Sequence, residues 1–338
     1  MPKRVTIKDV AIKAGVSYQT VSKVLNGTQH VLPDTEARIW EAARELGYMP
    51  HQYARNLRVQ RSGMIGYSWQ PTLPDQANHI LDMFLTSMVE EAEAAHYYLL
   101  PFPYRVGQEH VGDYRTLIDT GRVDGFVLTS VDYHDQRVLY LLERGFPFVA
   151  FGRSDASLDF PYVDIDGAAG LRMAVEYLAA KGHRRIGLIA WPDDSRVGND
   201  RLEGYRSAMH AHALPIEPDL IARGEGTFEF GRAATERWLD GDPARRPTAI
   251  VTLNDTMAIG AMHAGQARGL TIGRDLAVIG FDDAPMAQYL WPPLTTIRQP
   301  IRAVGQKCIE ILTRWLEGKP LTEKQVLLTP KLVVRESA

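Results

Sequence analysis

A chain of 338 residues is too long for one compact core and long enough for two or three domains. At 45% hydrophobic and 23% charged it reads as a soluble globular protein, and its longest apolar runs, such as 249–253, fall far short of the ~20 residues of a membrane span. A net charge of −3 excludes nucleic-acid binding along the whole length, yet residues 1–61 hold ten Lys/Arg against five acids, a basic end on an acidic body.

Met-Pro-Lys-Arg leads directly into a capped helical segment, so no signal segment is expected. Residues 5–27 predict a helix, a tight turn and a second helix. Thr6 caps the first helix and Asp9 suits its first turn. Val10, Ala11 and Ala14 form an apolar stripe, and Gly15 breaks the run where a turn needs a residue without a Cβ. Ser17 caps the second helix, whose inner stripe is Val21, Val24 and Leu25. Tyr18, Gln19, Ser22 and Lys23 point outward. By periodicity alone this is either a helical hairpin with a solvated polar face or a recognition helix, whose N-terminal residues enter the DNA major groove.

The string from Thr6 to Asn26 resembles the N-terminal helix-turn-helix of the LacI/GalR family of bacterial repressors. Every fixed position of the family pattern T-[IL]-x-D-V-A-x-x-A-G-V-S-x-x-T-V-S-x-V-[LI]-N is met. The resemblance implies a homodimer on a pseudo-palindromic DNA operator, one headpiece per half-site. Tyr18, Gln19 and Lys23 are then the base contacts, Gln19 by bidentate pairing with adenine. Lys23 stands where a relative with the same Tyr-Gln pair has arginine, and a point charge replaces a planar fork. Thr6, Ser17, Thr20, Ser22, Asn26 and His30 are the expected phosphate contacts, which set register without reading sequence.

After a polar loop, Pro33-Asp34-Thr35 opens a third helix over 34–46. Ala37, Ile39, Trp40, Ala43 and Leu46 are expected on its buried face, and Gly47 ends it. Residues 1–47 thus form a headpiece with little apolar surface to bury. Residues 48–62 are a short basic linker containing Leu57. On composition it is a plain interdomain linker. The resemblance implies a hinge helix that orders on operator DNA, with Leu57 wedged between bases in the minor groove.

From Gly63 short apolar strands alternate with helices. Strands are expected near 64–68, 97–102, 124–129, 147–151 and 162–165, with helices near 78–95, 109–120 and 135–144. A second series has strands near 185–190, 248–253 and 276–281 and helices near 167–181, 199–212, 229–240 and 255–268. Such alternation implies right-handed crossovers and parallel sheets, and two series imply two lobes. A tail with a strand at 295–297, a helix near 301–317 and a strand over 326–334 is expected to cross back between them. The predicted fold is an all-α helix-turn-helix headpiece followed by an α/β two-lobed domain over 63–338. By resemblance it is periplasmic-binding-protein-like and serves effector binding and dimerisation.

Open α/β sheets bind ligands at the C-terminal ends of their strands. The polar residues there are Trp69 and Gln70, Arg153 and Asp155, Asp164 and Asp166, Trp191 with Asp193 and Asp194, Asn254 and Asp255, and Asp282 and Asp283, with Arg201 nearby. Carboxylates, guanidinium groups, an amide and aromatics in one cleft suit a polyol, whose hydroxyls take paired hydrogen bonds and whose C–H faces stack on rings. Each residue also has a plainer reading: Asp255 as a helix cap, Asp282 as a turn cap, Arg201 paired with Asp200 or Glu203 on the surface, Trp191 as core. The resemblance assigns effector contacts to Arg201 (R-x-x-G-[FWY]), Asn254 (N-D-x-x-A) and Asp282 (G-[FY]-D-D). It assigns them more loosely to Phe228, Trp69 and Arg153. The segment 293–297 matches its P-L-T-T-[IV] crossover.

Catalytic motifs are missing: there is no G-x-S-x-G, P-loop or G-x-G-x-x-G. His183 falls in a family turn, and an acid–base role for Asp193-Asp194 has nothing else behind it. One cysteine, Cys308, and ten histidines without ligand spacing argue against a disulfide, a metal site or a cofactor and fit a reducing cytoplasm. The expected function is a transcriptional regulator, a repressor, controlled by a small carbohydrate between the lobes. Inducer and corepressor action stay open, as does a nucleobase effector. The chain lacks a trailing leucine-heptad segment, so a dimer is expected. The alternative is a cytoplasmic sugar-binding module without DNA function, which would have no use for residues 1–61.

Overall fold

The computed structural model describes residues 5–25, 31–48, 61–69, 78–104 and 111–338. The chain divides into two compact units, Met1–Gly63 with Thr120–Val123, and Met64–Asp119 with Asp124–Ala338.

In the first unit three helices, α1 (Ile7–Ala14), α2 (Tyr18–Leu25) and α3 (Pro33–Glu45), surround a small core. Asp9 starts α1 by accepting both the backbone N–H and the hydroxyl of Thr6 at 2.7 Å. Gly15, at φ +66°, supplies the left-handed residue that ends it. Ser17 Oγ accepts the N–H of Thr20 at 3.1 Å and caps α2. Val10, Val21 and Ile39 are fully buried between the helices. On α3 the buried face is Ile39, Ala42 and Ala43 with Leu46 against it, while Ala37 and Trp40 are exposed. The expected face was rotated: positions 39, 42, 43 and 46 repeat at one helical period, and 37 and 40 fall off that stripe.

The second unit has two lobes of six strands each. Lobe one pairs β1 (Met64–Trp69), β2 (Tyr98–Pro103), β3 (Gly125–Leu128), β4 (Phe148–Phe151), β5 (Tyr162–Ile165) and β11 (Gln325–Leu328) in the order β11-β5-β4-β3-β1-β2, all parallel. Its helices are α4 (His79–Ala94), α5 (Gly112–Asp119), α6 (Gln136–Arg144) and α11 (Ile301–Leu316). Lobe two holds β6 (Ile186–Ala190), β7 (Ile221–Arg223), β8 (Ala249–Thr252), β9 (Ala277–Asp282), β10 (Thr295–Arg298) and β12 (Lys331–Val333) in the order β12-β10-β9-β8-β6-β7. There only the β10–β12 pair is antiparallel. Its helices are α7 (Gly167–Ala180), α8 (Arg196–Ala211), α9 (Phe228–Asp240) and α10 (Asp255–Gln266). Each lobe has its own apolar core; Cys308 of α11 lies in that of lobe one.

The chain passes between lobes after β5, between β10 and α11, and between β11 and β12. The single strand expected over 326–334 is therefore two, one per sheet. Pro330 has no N–H for a ladder, and the break falls there. β7 escaped the sequence reading because three residues show no period. α8 begins at Arg196, before the expected 199, because Ser195 Oγ accepts the N–H of Gly198 at 3.1 Å. Among the described residues no helix is long and apolar enough to cross a membrane.

Candidate effector site and DNA-facing surface

In each lobe the strand order reverses at the first strand, between β1 and β3 and between β6 and β8. A crevice forms at such a switch point, outside the strands' C-terminal ends. The two crevices face each other across a cavity of about 710 Å³, within the usual range of small-molecule sites.

Lobe two supplies most of its charge. Gly204 lets α8 lie directly on α7, because a Cβ there would run into the backbone of Ala168. That contact sets Arg201 three residues earlier, only 4% exposed. Its guanidinium lies 3.6 Å from the ring centre of Phe281 and 4.8 Å from that of Trp191. Nη1 donates to Leu253 O at 2.5 Å, while the buried Nε has no partner among the described residues. Burial presses the pKa down to about 10, against the pull of Asp282, Asp164 and Asp200. The group is still charged at neutral pH. Arg201 is thus neither on the surface nor bonded to Glu203, and Trp191 forms part of the cavity wall.

Asp282 ends β9 at φ +120° and Asp283 follows at +54°. Non-glycine residues rarely take such angles, and they persist where the surroundings hold them. Here Arg298 Nε and Arg335 Nη2 grip the Asp283 carboxylate at 2.5 and 2.6 Å. Asp282 faces the cavity and accepts from Gln299 Nε2 at 2.7 Å. Behind it Asp255 accepts from Thr296 Oγ1 at 2.5 Å and from the N–H of Ala284 at 2.7 Å. Burial raises the pKa of both carboxyls; Arg201 and Gln299 oppose this at Asp282, whereas Asp282 adds to it at Asp255.

The cap of α10 is Asn254, whose amide oxygen accepts the N–H of Met257 at 2.8 Å, so the capping role considered for Asp255 falls to its neighbour. Its amide nitrogen donates to Gly226 O at 2.9 Å and ties the β7–α9 loop to the site. Phe228 opens α9 on the cavity wall, edge-on to His263 at 5.6 Å.

Lobe one contributes Asn78 and His79 at the start of α4, Thr129 and Ser130 after β3, and Asp164. Beneath this wall the fully buried Arg137 bonds Asp135 at 2.6 Å and the carbonyls of Thr129 and Ser130 at 3.0 Å each.

The cavity thus brings together Arg201, Asn254, Asp282 and Phe228. Arg153 is not on its wall: it stands behind, ion-paired with Asp164 at 2.8 Å and with Asp200. Trp69, at the end of β1, also lies off the wall. Gln70 is outside the described residues. The sequence reading missed Arg196, Asp200, Gln299, Asn78 and His79. Gln299 had a signal in its place next to the crossover segment 293–297; Arg196 and Asp200 on α8 and Asn78 and His79 at the start of α4 had none, because polar residues there read equally as a solvated face or a cap. Among the described residues no group of three His, Cys, Asp or Glu is placed to hold a metal ion.

In the headpiece, Tyr18, Gln19 and Lys23 are exposed along α2, and Ser22 is half-buried beside them. Thr6, Ser17 and Thr20 sit at the starts of α1 and α2, with Ser17 Oγ and Thr20 Oγ1 2.8 Å apart. Asn26, His30 and Leu57 lie outside the described residues, as does most of the 48–62 linker.

Two family models match the chain: one described as bacterial regulatory proteins, lacI family, over residues 6–51, and a periplasmic binding protein-like domain over residues 175–338. A solved regulatory protein of the LacI family from Chloroflexus aggregans is 62% identical, with a TM-score of 0.80 over 82% of this chain and 98% of that one. The transcriptional regulator CelR in complex with cellobiose is 30% identical, with a TM-score of 0.75 over 99% of this chain and 100% of the other. The lac repressor dimer bound to operator and the anti-inducer ONPF is 29% identical, with a TM-score of 0.84 over 99% of each chain.

Proposed function

This chain belongs to the LacI family of bacterial regulatory proteins and is a DNA-binding transcriptional regulator; we propose that it is a cytoplasmic repressor whose operator affinity is set by a neutral carbohydrate bound between its lobes. The single observation that carries the effector class is Arg201, held between two aromatic rings with an unused Nε–H, opposite the acceptor Asp282. A polyol offers acceptors to the one and hydroxyl donors to the other, and the wall rings of Trp191 and Phe228 take its C–H faces. The wall carries Asp164, Asp200, Glu229 and Asp282 against Arg196 and Arg201, while Asp255 holds its proton. That excess of carboxylates favours an uncharged sugar over a phosphorylated or acidic one. The CelR complex with cellobiose supports a sugar in this type of cleft.

Tyr18, Gln19 and Lys23 read base edges. Thr6, Ser17, Thr20, Ser22, Asn26 and His30 hold phosphates, and Leu57 wedges a minor-groove step. The lac repressor dimer on its operator supports a homodimer with one headpiece per half-site. A carbohydrate that prefers one arrangement of the lobes must then shift operator affinity, and DNA must shift sugar affinity by the same factor. No catalytic role is assigned to the site.

A footprint on the DNA upstream of the chain's own coding region, together with a thermal-shift panel of neutral sugars, their phosphates and nucleosides, tests both halves. Protection of a palindrome and a rise in melting temperature with a neutral sugar are expected. Protection without a palindrome, or stabilisation by nucleosides or sugar phosphates alone, overturns the corresponding half.

A further inference from the structure

One edge of the cleft is closed by ion pairs that run from protein to protein. From lobe two, α8 brings Arg196 and Asp200, one helical turn apart. From lobe one come Arg153, after β4, and Asp164 of β5. Arg153 Nε donates to Asp164 at 2.8 Å within its lobe, and its Nη2 pairs with Asp200 across the cleft. Arg196 reaches the other way. Its guanidinium stands 3.7 Å from Asp164, its Nε donates to Ser154 O at 3.1 Å, and its backbone N–H donates to Asp132 at 2.9 Å.

Exposed ion pairs contribute little, because water and salt screen them. These four side chains are only 9% to 28% exposed, and each arginine faces both carboxylates. Each of the four therefore meets both of its opposite charges only when the lobes meet. Separating them would leave Arg153 with Asp164 on one lobe and Arg196 with Asp200 on the other, and the second of these pairs is 4.0 Å apart.

We propose that Arg153, Asp164, Arg196 and Asp200 form an electrostatic latch that holds the two lobes together before an effector arrives. Asp200 is followed at once by Arg201, so a ligand that pulls on Arg201 moves the lobe-two half of the latch. The latch regulates the effector site and rests on that reading for its role, although its closure is measurable without a ligand. A latched cleft offers the effector its binding geometry ready-made. Unlatching reduces the competent fraction and weakens apparent affinity in proportion.

Full-length protein carrying spin labels on Glu143→Cys of lobe one and Ala233→Cys of lobe two, both exposed positions, gives the distance between lobes by pulsed electron resonance. Cys308 is fully buried and stays unlabelled. With labelled chains diluted into an excess of unlabelled ones, so that pairs across a dimer do not contribute, a single narrow distance is expected for the parent chain without any ligand. Arg153→Gln, at a residue off the cavity wall, and Asp200→Asn should each broaden it and shift it several ångströms longer. Arg153→Lys should largely restore it, with melting temperatures showing that each variant is folded. If Arg153→Gln folds poorly, Asp200→Asn carries the test. An unchanged distance in either folded variant overturns the latch and leaves a sugar titration standing. A sugar panel that fails leaves the distance result standing.

Discussion

At the scale of single residues the site rests on how two carboxyls are held. Asp282 is aimed by an unfavourable backbone turn that Arg298 and Arg335 secure through its neighbour Asp283. Asp282→Ala removes the acceptor opposite Arg201. Loss of a hydrogen bond to a charged group costs about 1.5–3 kcal/mol. Sugar affinity should thus fall at least roughly tenfold while operator binding persists, which fluorescence anisotropy on labelled operator with added sugar would read. Asp255 has no cation bonded to it, and burial raises its pKa. The native state therefore holds that proton at pH values where the unfolded chain, with a carboxyl near 3.9, has released it. Its contribution to stability is complete below about pH 4 and declines as pH rises through the raised value. Asp255→Asn should remove that decline, so the difference in melting temperature between parent and variant changes between about pH 4 and about pH 8. A difference between parent and variant that stays constant over this range would contradict the assignment.

At the scale of elements, helices serve as carriers of site residues. α8 brings Arg196, Asp200 and Arg201 to one corner, and its depth is set by the close contact of Gly204 with α7. Gly204→Ala inserts a methyl where backbone already lies, and overpacking of this kind costs about 1–3 kcal/mol. Calorimetry should show a lower melting temperature and titration a weaker effector response, because Arg201 moves with its helix. An unchanged melting temperature would mean that the α7–α8 contact tolerates the added group. In the headpiece, α2 is fixed by Val21 and Val24 in the small core, which turns Tyr18, Gln19 and Lys23 outward.

At the scale of the whole molecule, the headpiece and each of the two lobes bury apolar side chains separately. Binding of sugar needs only the latter two. A chain beginning at Gly63 should bind the effector within about threefold of the full chain, a difference below 1 kcal/mol, and show no operator binding. Calorimetric titration and gel shift measure the two. Loss of effector binding in a folded truncation would place part of the site before residue 63.

The sequence by itself determined the headpiece, the alternation that makes two largely parallel sheets, and, from Asp164 and Trp191 to Arg201, Phe228, Asn254, Asp255 and Asp282, much of the cavity wall. Capping residues, glycine breaks and apolar periods are local signals, legible wherever an element is long enough to repeat. The motifs around Arg201, Asn254 and Asp282 were legible through the family resemblance, each being a short contiguous string, within α8 for Arg201 and at a strand end for the other two. Tertiary structure alone decided that the last strand divides at Pro330 between two sheets and that Trp40 is exposed. It alone moved Arg153 from the wall to the latch and brought Arg196, Asp200 and Gln299 to the cleft. These outcomes depend on which side chains meet across two lobes, and the partner of a charge lies tens of residues away, beyond the reach of any local pattern.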